Sequence, residues 1–128
     1  MSCITLRGKF SAAHFYNNPT QSIDWNQQQF GLCYTVYGHG HNYQIEVTVR
    51  ADKESFDIQQ LYLQQLLNKV EHRHLNFDIS EFEKGKQIPT CENLCAYFVN
   101  LWRSLANESP VKVKVSESPD IWAEWCGS

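Results

Sequence analysis

The chain has 128 residues, of which 42% are hydrophobic and 20% are charged, and its formal net charge is −3. These values are typical of a single globular domain spanning residues 1–128, and they exclude a disordered tail or a fibrous repeat. A slightly acidic chain lacks the basic surface of a general nucleic-acid binder, so we expect no nucleic-acid partner.

The chain also lacks the sequence features of membrane and secreted proteins. No run approaches the roughly 18 consecutive apolar residues that a membrane span needs, and the first ten residues lack the apolar core of a signal peptide. The cysteines are odd in number and show no disulfide spacing (Cys3, Cys33, Cys91, Cys95 and Cys126). We therefore expect reduced thiols, a cytoplasmic location and no membrane partner.

The first half of the chain predicts two strands joined by a long loop. Residues 3–13 favour a strand that ends just before His14. Residues 15–40 are rich in Asn, Gln, Gly and aromatic side chains without a clear period. They indicate a loop, and loops of this length are usually functional. Residues 42–51 alternate between apolar and polar side chains, which predicts a half-buried strand.

The middle of the chain predicts two helices. Asp57 is a candidate N-cap for a helix through about Glu71, and Thr90 is a candidate N-cap for a helix that ends near Asn107. Both segments carry apolar residues at helical spacing. Residues 72–89, between them, are predicted to be an irregular link.

Two further strands complete the predicted fold. Valines alternate with Lys112 and Lys114 over residues 111–115, and the turn at residues 118–120 leads into a last strand at residues 121–126. The element order is therefore ββααββ. This order predicts an α+β domain, in which an antiparallel four-stranded sheet carries two helices on one face.

Histidine clustering is the most informative local pattern. His39 and His41 are two residues apart at the start of the second strand, flanked by glycines, so their side chains point to the same face. If the first two strands pair as a hairpin, His14 converges with them. Three neutral imidazoles suit Zn²⁺ and leave the open position of a catalytic site. A pair of hydrogen-bonded structural histidines is the alternative.

Cys33 lies close in sequence to these histidines and allows two interpretations. It is a possible fourth ligand, which would close a Cys-His₃ site and make the protein a non-enzymatic zinc module. Alternatively, it lies beside the metal and acts as a thiolate base or nucleophile.

Glu71 and His72 are neighbours that could form a proton relay. The alternative is a helix C-terminus at which cationic side chains complement the dipole. Glu117 follows a strand of buried valines and is either a carboxylate in a cavity or a solvated side chain. Thr90 and Glu92 fit a capped helix start with an acidic first turn.

Taken together, several short motifs resemble one enzyme family in their order along nearly the whole chain. They are Phe10-Ser11-Ala12-Ala13-His14, Cys33 followed by Gly38-His39-Gly40-His41-Asn42-Tyr43, Glu71-His72-Arg73-His74-Leu75-Asn76, Thr90-x-Glu92-Asn93 and Val115-x-Glu117. The chain resembles the 6-pyruvoyl-tetrahydropterin synthase and 6-carboxytetrahydropterin synthase family. The resemblance implies the tunnelling fold (T-fold), whose ββααββ order agrees with the elements predicted above.

The resemblance also implies a function. It implies an enzyme that acts on 7,8-dihydroneopterin triphosphate, eliminates triphosphate and needs no external nicotinamide. The positions matching the family's functional residues are His14, His39 and His41 as Zn²⁺ ligands, Cys33 as the catalytic thiolate, His72 and Glu71 as the proton relay, Glu117 as the pterin anchor, and Thr90 and Glu92 near the pterin pocket. A homohexamer built as a dimer of trimers is implied as well.

The chain departs from the family pattern in two places, one that concerns the proton relay and one that concerns the product. Glu71 stands where the family usually has Asp. Cys33 precedes His39 with five residues between them, as in the branch that forms the pyruvoyl product, whereas the carboxy-forming branch of queuosine biosynthesis has a shorter gap. Residues 34–37 are more hydrophobic than in either branch. Both products therefore stay open, together with a family member whose substrate has diverged.

Overall fold

The computed structural model describes residues 2–35 and 37–127 of the chain. Met1, Ser128 and Val36, the last within the hydrophobic 34–37 segment, lie outside the described residues. The described strands are β1 (Cys3–His14), β2 (His39–Arg50), β3 (Arg73–His74), β4 (Lys112–Ser118) and β5 (Ile121–Cys126). The described helices are α1 (Ile23–Phe30), α2 (Phe56–Val70), α3 (Leu75–Asp78) and α4 (Cys91–Ala106), with 3₁₀ turns at Gly31–Cys33 and Ser80–Gly85.

The strands form one sheet in the order β3-β1-β2-β4-β5. β1 and β2 pair antiparallel along their full length, from Cys3 opposite Arg50 to His14 opposite His39. β4 pairs antiparallel with both β2 and β5, whereas β3 pairs parallel with β1. The long β1–β2 pairing brings the end of β1 next to the start of β2.

One face of this sheet is buried because each long strand alternates apolar and polar residues. Tyr43, Ile45 and Val47 of β2 are buried, while the side chains between them are not. α2 and α4 cover this buried face and supply the rest of the core, including Leu66 and Phe98, which are fully buried. Burying such side chains stabilises the fold by about 1.5–3 kcal/mol each.

Side-chain caps set the starts of both long helices. The Ser55 hydroxyl accepts a hydrogen bond from the backbone N–H of Ile58, so the cap of α2 lies two residues before the predicted Asp57. The Thr90 hydroxyl accepts from the N–H of Asn93, as predicted for α4. Each cap satisfies a backbone donor that the helix itself leaves free.

The predicted α+β class is confirmed, and the sheet has one strand more than the predicted four. β3 contains only two residues and forms because the chain after α2 runs beside the edge of β1. The predicted link at residues 72–89 was wrong in this respect, since it also contains α3 and a 3₁₀ turn. A two-residue strand carries no periodic signal in the sequence.

The predicted loop at residues 15–40 was also wrong in its centre, which contains α1. Ser22 caps this helix by accepting from the N–H of Trp25. Asn26 is buried in the helix and hydrogen-bonds the backbone of Asn18 and Ser22. A short helix held by a buried asparagine lacks the apolar stripe on which the prediction depended.

Within residues 2–35 and 37–127, no helix has both the length and the apolar character that crossing a membrane requires.

Candidate functional site

Three histidines meet on the helix-covered face of the sheet, at the end where β1 stops and β2 begins. His14 is opposite His39, and His41 is opposite Ala12. Because paired residues of antiparallel strands point to the same face, all three imidazoles lie on the face that carries the buried side chains of Phe10 and Tyr43. The predicted convergence of His14, His39 and His41 is therefore present.

The three rings are close enough to share a cation. One nitrogen of each histidine lies within 4.8 Å of the other two. His14 Nε2 and His39 Nε2 are 3.2 Å apart. Two imidazole nitrogens bound to one tetrahedral Zn²⁺ at about 2.0–2.1 Å lie roughly 3.3 Å apart, so this spacing fits the metal. The triad can hold a metal ion.

Electrostatics keep His14 neutral, which is the state that a metal ligand needs. Burial lowers the pKa of His14 to about 3, and repulsion from His41 and His39 contributes to the shift. Burial also lowers the pKa of His41, although Glu117 opposes that shift. His14 and His41 therefore favour the neutral form, in which a ring nitrogen keeps a lone pair for a metal ion.

Tyr43 fixes the orientation of the His14 ring. Its hydroxyl lies 2.6 Å from His14 Nδ1, and its own ring stacks on Phe10 at 4.8 Å with an angle of 8° between the planes. When Nδ1 carries the proton and donates to the Tyr43 oxygen, Nε2 presents its lone pair to the cluster. Burial raises the pKa of Tyr43, so its hydroxyl stays protonated.

Glu117 lies beside the triad with an unsatisfied carboxylate oxygen. Ser116 pairs with Trp122 and Ser118 with Ile121, so Glu117 occupies a β-bulge, a feature that re-aims side chains. Its side chain is 11% exposed, and Oε2 lies 3.9 Å from His41 Nε2. Oε2 is buried and has no hydrogen-bond partner among the described residues. A buried acceptor without a donor is costly unless a ligand supplies one.

Cys33 lies near this carboxylate but outside the group of metal ligands. Its sulfur is not part of the histidine cluster, so the four-ligand Cys-His₃ arrangement is not formed in the structure. Burial raises the pKa of the Cys33 thiol, and the Glu117 carboxylate raises it further. The Cys33 carbonyl accepts a hydrogen bond from the N–H of Tyr16, which ties the 3₁₀ turn to the residues after His14.

The start of α4 reaches the same region through its first residue. Burial raises the pKa of the Cys91 thiol to about 11, Glu117 raises it as well, and a hydrogen bond to the Glu117 backbone partly offsets these effects. Thr90 uses its hydroxyl to cap the helix. Glu92 is exposed in the first turn. Thr90 and Glu92 therefore flank Cys91, the residue through which α4 reaches the site.

Glu71 and His72 lie at the edge of the sheet. Glu71 Oε1 is 3.0 Å from His72 Nε2 and also accepts a hydrogen bond from the backbone N–H of Ser11 at 3.0 Å. His72 has a left-handed backbone with φ 57°, and its side chain is 80% exposed. A groove of about 470 Å³ runs between His72 and His41. The predicted pair is formed, and the His72 side chain is mostly exposed to solvent in the single chain.

Sequence reasoning assigned no role at the site to Tyr43, Tyr16 or Cys91. The sequence could have identified Tyr43, because a residue two positions after His41 in a strand lies on the same face. The Tyr16 ring packs against His14 with centroids 5.0 Å apart. Tyr16 and Cys91 reach the site only through the packing of a loop and a helix end, so no local pattern identifies them.

Comparisons with known proteins agree with this geometry. Residues 3–127 match the family described as 6-pyruvoyl tetrahydropterin synthase. The chain is 29% identical to 6-pyruvoyl tetrahydrobiopterin synthase of Poecilia reticulata, with 90% of this chain and 83% of that protein covered. It is 30% identical to the Drosophila melanogaster protein of the same name, with 91% and 74% covered.

A solved structure extends the likeness to the whole fold. The structure of Caenorhabditis elegans 6-pyruvoyl tetrahydropterin synthase superposes with a TM-score of 0.87 at 27% sequence identity, and the match covers 100% of this chain and 98% of that chain. The predicted resemblance is thereby confirmed.

Proposed function

Since the chain belongs to the 6-pyruvoyl tetrahydropterin synthase family, we propose that it is a zinc-dependent lyase acting on 7,8-dihydroneopterin triphosphate. The product is 6-pyruvoyl-tetrahydropterin, and triphosphate is released. The observation that carries the proposal is the convergence of three imidazoles beside Glu117, whose buried Oε2 has no hydrogen-bond partner among the described residues. The five-residue gap between Cys33 and His39 and the names of the relatives support the pyruvoyl product.

His14, His39 and His41 hold the metal in this proposal, and residues 1–128 form one pterin synthase domain. A Zn²⁺ ion bound there supplies Lewis acidity to the side-chain hydroxyls of the substrate and a positive charge that favours the thiolate of Cys33. Tyr43 keeps the lone pair of His14 directed at the cluster. The fit of the donor set to zinc rests on the 3.2 Å spacing of two ring nitrogens and on the lowered pKa of His14.

Glu117 binds the pterin ring. Its two oxygens can accept a pair of N–H bonds from the amino-pyrimidinone edge, and charge-assisted pairs of this kind are strong and directional. The buried and unsatisfied Oε2 supports this role, because the bound ring supplies the missing donor. Thr90 and Glu92 border the pterin pocket from the start of α4.

Cys33 takes a proton from a side-chain carbon of the substrate, and triphosphate leaves by elimination. His72, held by Glu71 at 3.0 Å, passes protons to and from the substrate hydroxyls. Ring reduction and side-chain oxidation occur within one molecule, so no external hydride donor takes part. Glu71 is one methylene longer than the usual Asp but still reaches the His72 ring.

We propose that six copies assemble as a dimer of trimers. Both edges of the sheet are open within the described residues, and Ile121 and Trp122 of β5 are 54% and 50% exposed. Exposed strand edges with apolar side chains favour pairing with another chain. His72, 80% exposed in one chain, would then face a site completed by a neighbouring copy.

Light scattering after gel filtration tests the assembly. We expect a particle of six 14.9 kDa chains, and Trp122→Lys should shift it toward smaller species. A wild-type monomer at micromolar concentration would contradict the hexamer. Lys53→Gln, a change at the opposite end of the domain, serves as the control and should leave the mass unchanged.

Product analysis tests the reaction. Purified protein incubated with 7,8-dihydroneopterin triphosphate and Zn²⁺ should release triphosphate and give the pyruvoyl product by mass spectrometry. Cys33→Ser should keep the fold and the metal while turnover falls by at least about 100-fold, the size of a general acid–base contribution. Detection of the carboxy product together with acetaldehyde would instead assign the protein to the carboxy-forming branch of the family. Wild-type metal binding without turnover would favour a diverged substrate or a non-enzymatic zinc module.

A further inference from the structure

The segment that follows α2 packs across the open end of the β1–β2 pair. In β3, His74 lies beside Ala13, the residue before His14. The backbone N–H of His74 donates to Asp78 Oδ2 at 2.8 Å. The His74 ring contacts Phe77 and Phe15, with centroid distances of 4.4 and 5.5 Å. The backbone of His74 is therefore paired with β1, and its ring packs between Phe77 and Phe15.

The His74 side chain also holds the residues that lead into β2. Its Nε2 lies 3.0 Å from the carbonyl oxygen of Tyr37, which is two residues before His39. A carbonyl only accepts, so Nε2 carries the proton and donates it. The other ring nitrogen, Nδ1, is buried and has no partner among the described residues.

Gly38 shows how closely these parts approach one another. Its φ of +83° is a conformation that side chains rarely allow. A Cβ atom at this position would lie 2.4 Å from the His14 carbonyl oxygen and 3.0 Å from His74 Nε2. Gly38 therefore fits between the end of β1 and the His74 ring because it has no side chain.

Asn76 holds the backbone that follows His14. Its Oδ1 accepts from the backbone N–H of Phe15, and its Nδ2 donates to the Phe15 carbonyl, both at 2.9 Å. Phe15 directly follows the ligand His14. Asn76 is 8% exposed, so water competes little for these two bonds.

We propose that His74 and Asn76 form a clamp that positions the histidine triad. The β1–β2 pairing ends at His14 and His39, and residues 15–38 connect the two strands. Strand ends that open into long connections fray readily. The clamp fixes the backbone after His14 through Asn76 and the backbone before His39 through His74. His74 and Asn76 are positioning residues, and the inference rests on the metal site of the proposed function.

Metal affinity and cobalt spectroscopy test the clamp. His74→Phe keeps a ring between Phe15 and Phe77 but removes the donor to Tyr37. We expect Zn²⁺ affinity, measured by competition with a chromophoric chelator, to fall about tenfold, near the lower end of what supporting residues contribute. The visible spectrum of the Co²⁺-loaded protein should shift, because the ligand geometry relaxes. His74→Gln, which retains an amide donor, should restore most of the affinity and the spectrum.

Gln59→Leu is the matched control. Gln59 is 3% exposed and donates to the carbonyl of Arg50, so its loss removes a similar hydrogen bond at the end of β2 that lies away from the triad. Unchanged affinity and spectrum in His74→Phe would overturn the clamp, as would an equal loss in Gln59→Leu. Wild-type protein that binds neither Zn²⁺ nor Co²⁺ would instead refute the metal site and the clamp with it. Asn76→Asp, which keeps the acceptor for Phe15 N–H and loses the donor, should lower affinity in the same direction.

Discussion

His39→Ala is expected to abolish stoichiometric metal binding and turnover while leaving the fold intact. The His39 ring supplies one of three clustered nitrogens, and its Nε2 lies 3.2 Å from His14 Nε2. Changes to residues that only support metal ligands cost about 10- to 100-fold in affinity, so the loss of a ligand should exceed 100-fold. Tyr43→Phe removes the partner of His14 Nδ1, and its metal affinity should lie between those of the wild type and His39→Ala.

Metal content and thermal unfolding measure this effect. A ligand that binds only the folded state raises stability by about 2.7 kcal/mol at 100 times its Kd, so Zn²⁺ should raise the Tm of the wild type and not that of His39→Ala. Gln44→Ala is the control, because Gln44 lies on the same strand with its side chain on the opposite face. Equal metal content in His39→Ala and the wild type would show that the metal binds elsewhere.

Glu117→Gln is expected to weaken substrate binding strongly while metal binding stays nearly unchanged. The amide keeps the shape of the side chain but replaces one acceptor with a donor and removes the charge. Hydrogen bonds to charged groups contribute about 1.5–3 kcal/mol, which corresponds to roughly a 10- to 150-fold rise in KM or Kd for the pterin. The buried position of Oε2 places the effect toward the upper part of that range.

Pterin binding by fluorescence titration, beside metal content, separates this role from a structural one. Glu124→Gln is the control, since Glu124 is another carboxylate of the same sheet, 39% exposed and 3.9 Å from Lys112. It should bind pterin as the wild type does. Unchanged pterin affinity in Glu117→Gln would remove Glu117 from the binding site, and a loss of metal in the same variant would assign it to the metal centre instead.

Much of the fold follows from patterns of apolar and polar residues within short segments of the sequence. Alternation over residues 42–51 and helical spacing after Ser55 and Thr90 specify which faces are buried, because one side of a strand or helix must leave water. The same alternation determines that His39, His41 and Tyr43 share a face. The start of α2 was misplaced by two residues, because Asp57 and Ser55 are both good capping residues and local sequence does not choose between them.

Two short elements, α1 and β3, lack a periodic pattern of apolar residues and were not predicted from the sequence. α1 depends on the buried amide of Asn26, and β3 depends on the edge of β1 being free to accept two residues. Neither condition is visible in a window of neighbouring residues. The exposed side chain of His72 was equally unforeseeable, because its orientation follows from a left-handed backbone at the turn out of α2.

The sequence by itself determined the residue types of the candidate site and the strand face on which the histidines of β2 lie, since side-chain alternation is a property of the extended chain. Only the tertiary structure decided that His14 meets His39 across a full-length strand pair, that Glu117 sits in a bulge with an unsatisfied oxygen, and that Cys33 stays outside the cluster. It also placed His74 against the backbone before His39 and Asn76 against the backbone after His14. These relations join residues far apart in the chain, and they form only when burial of a common core brings distant elements into register.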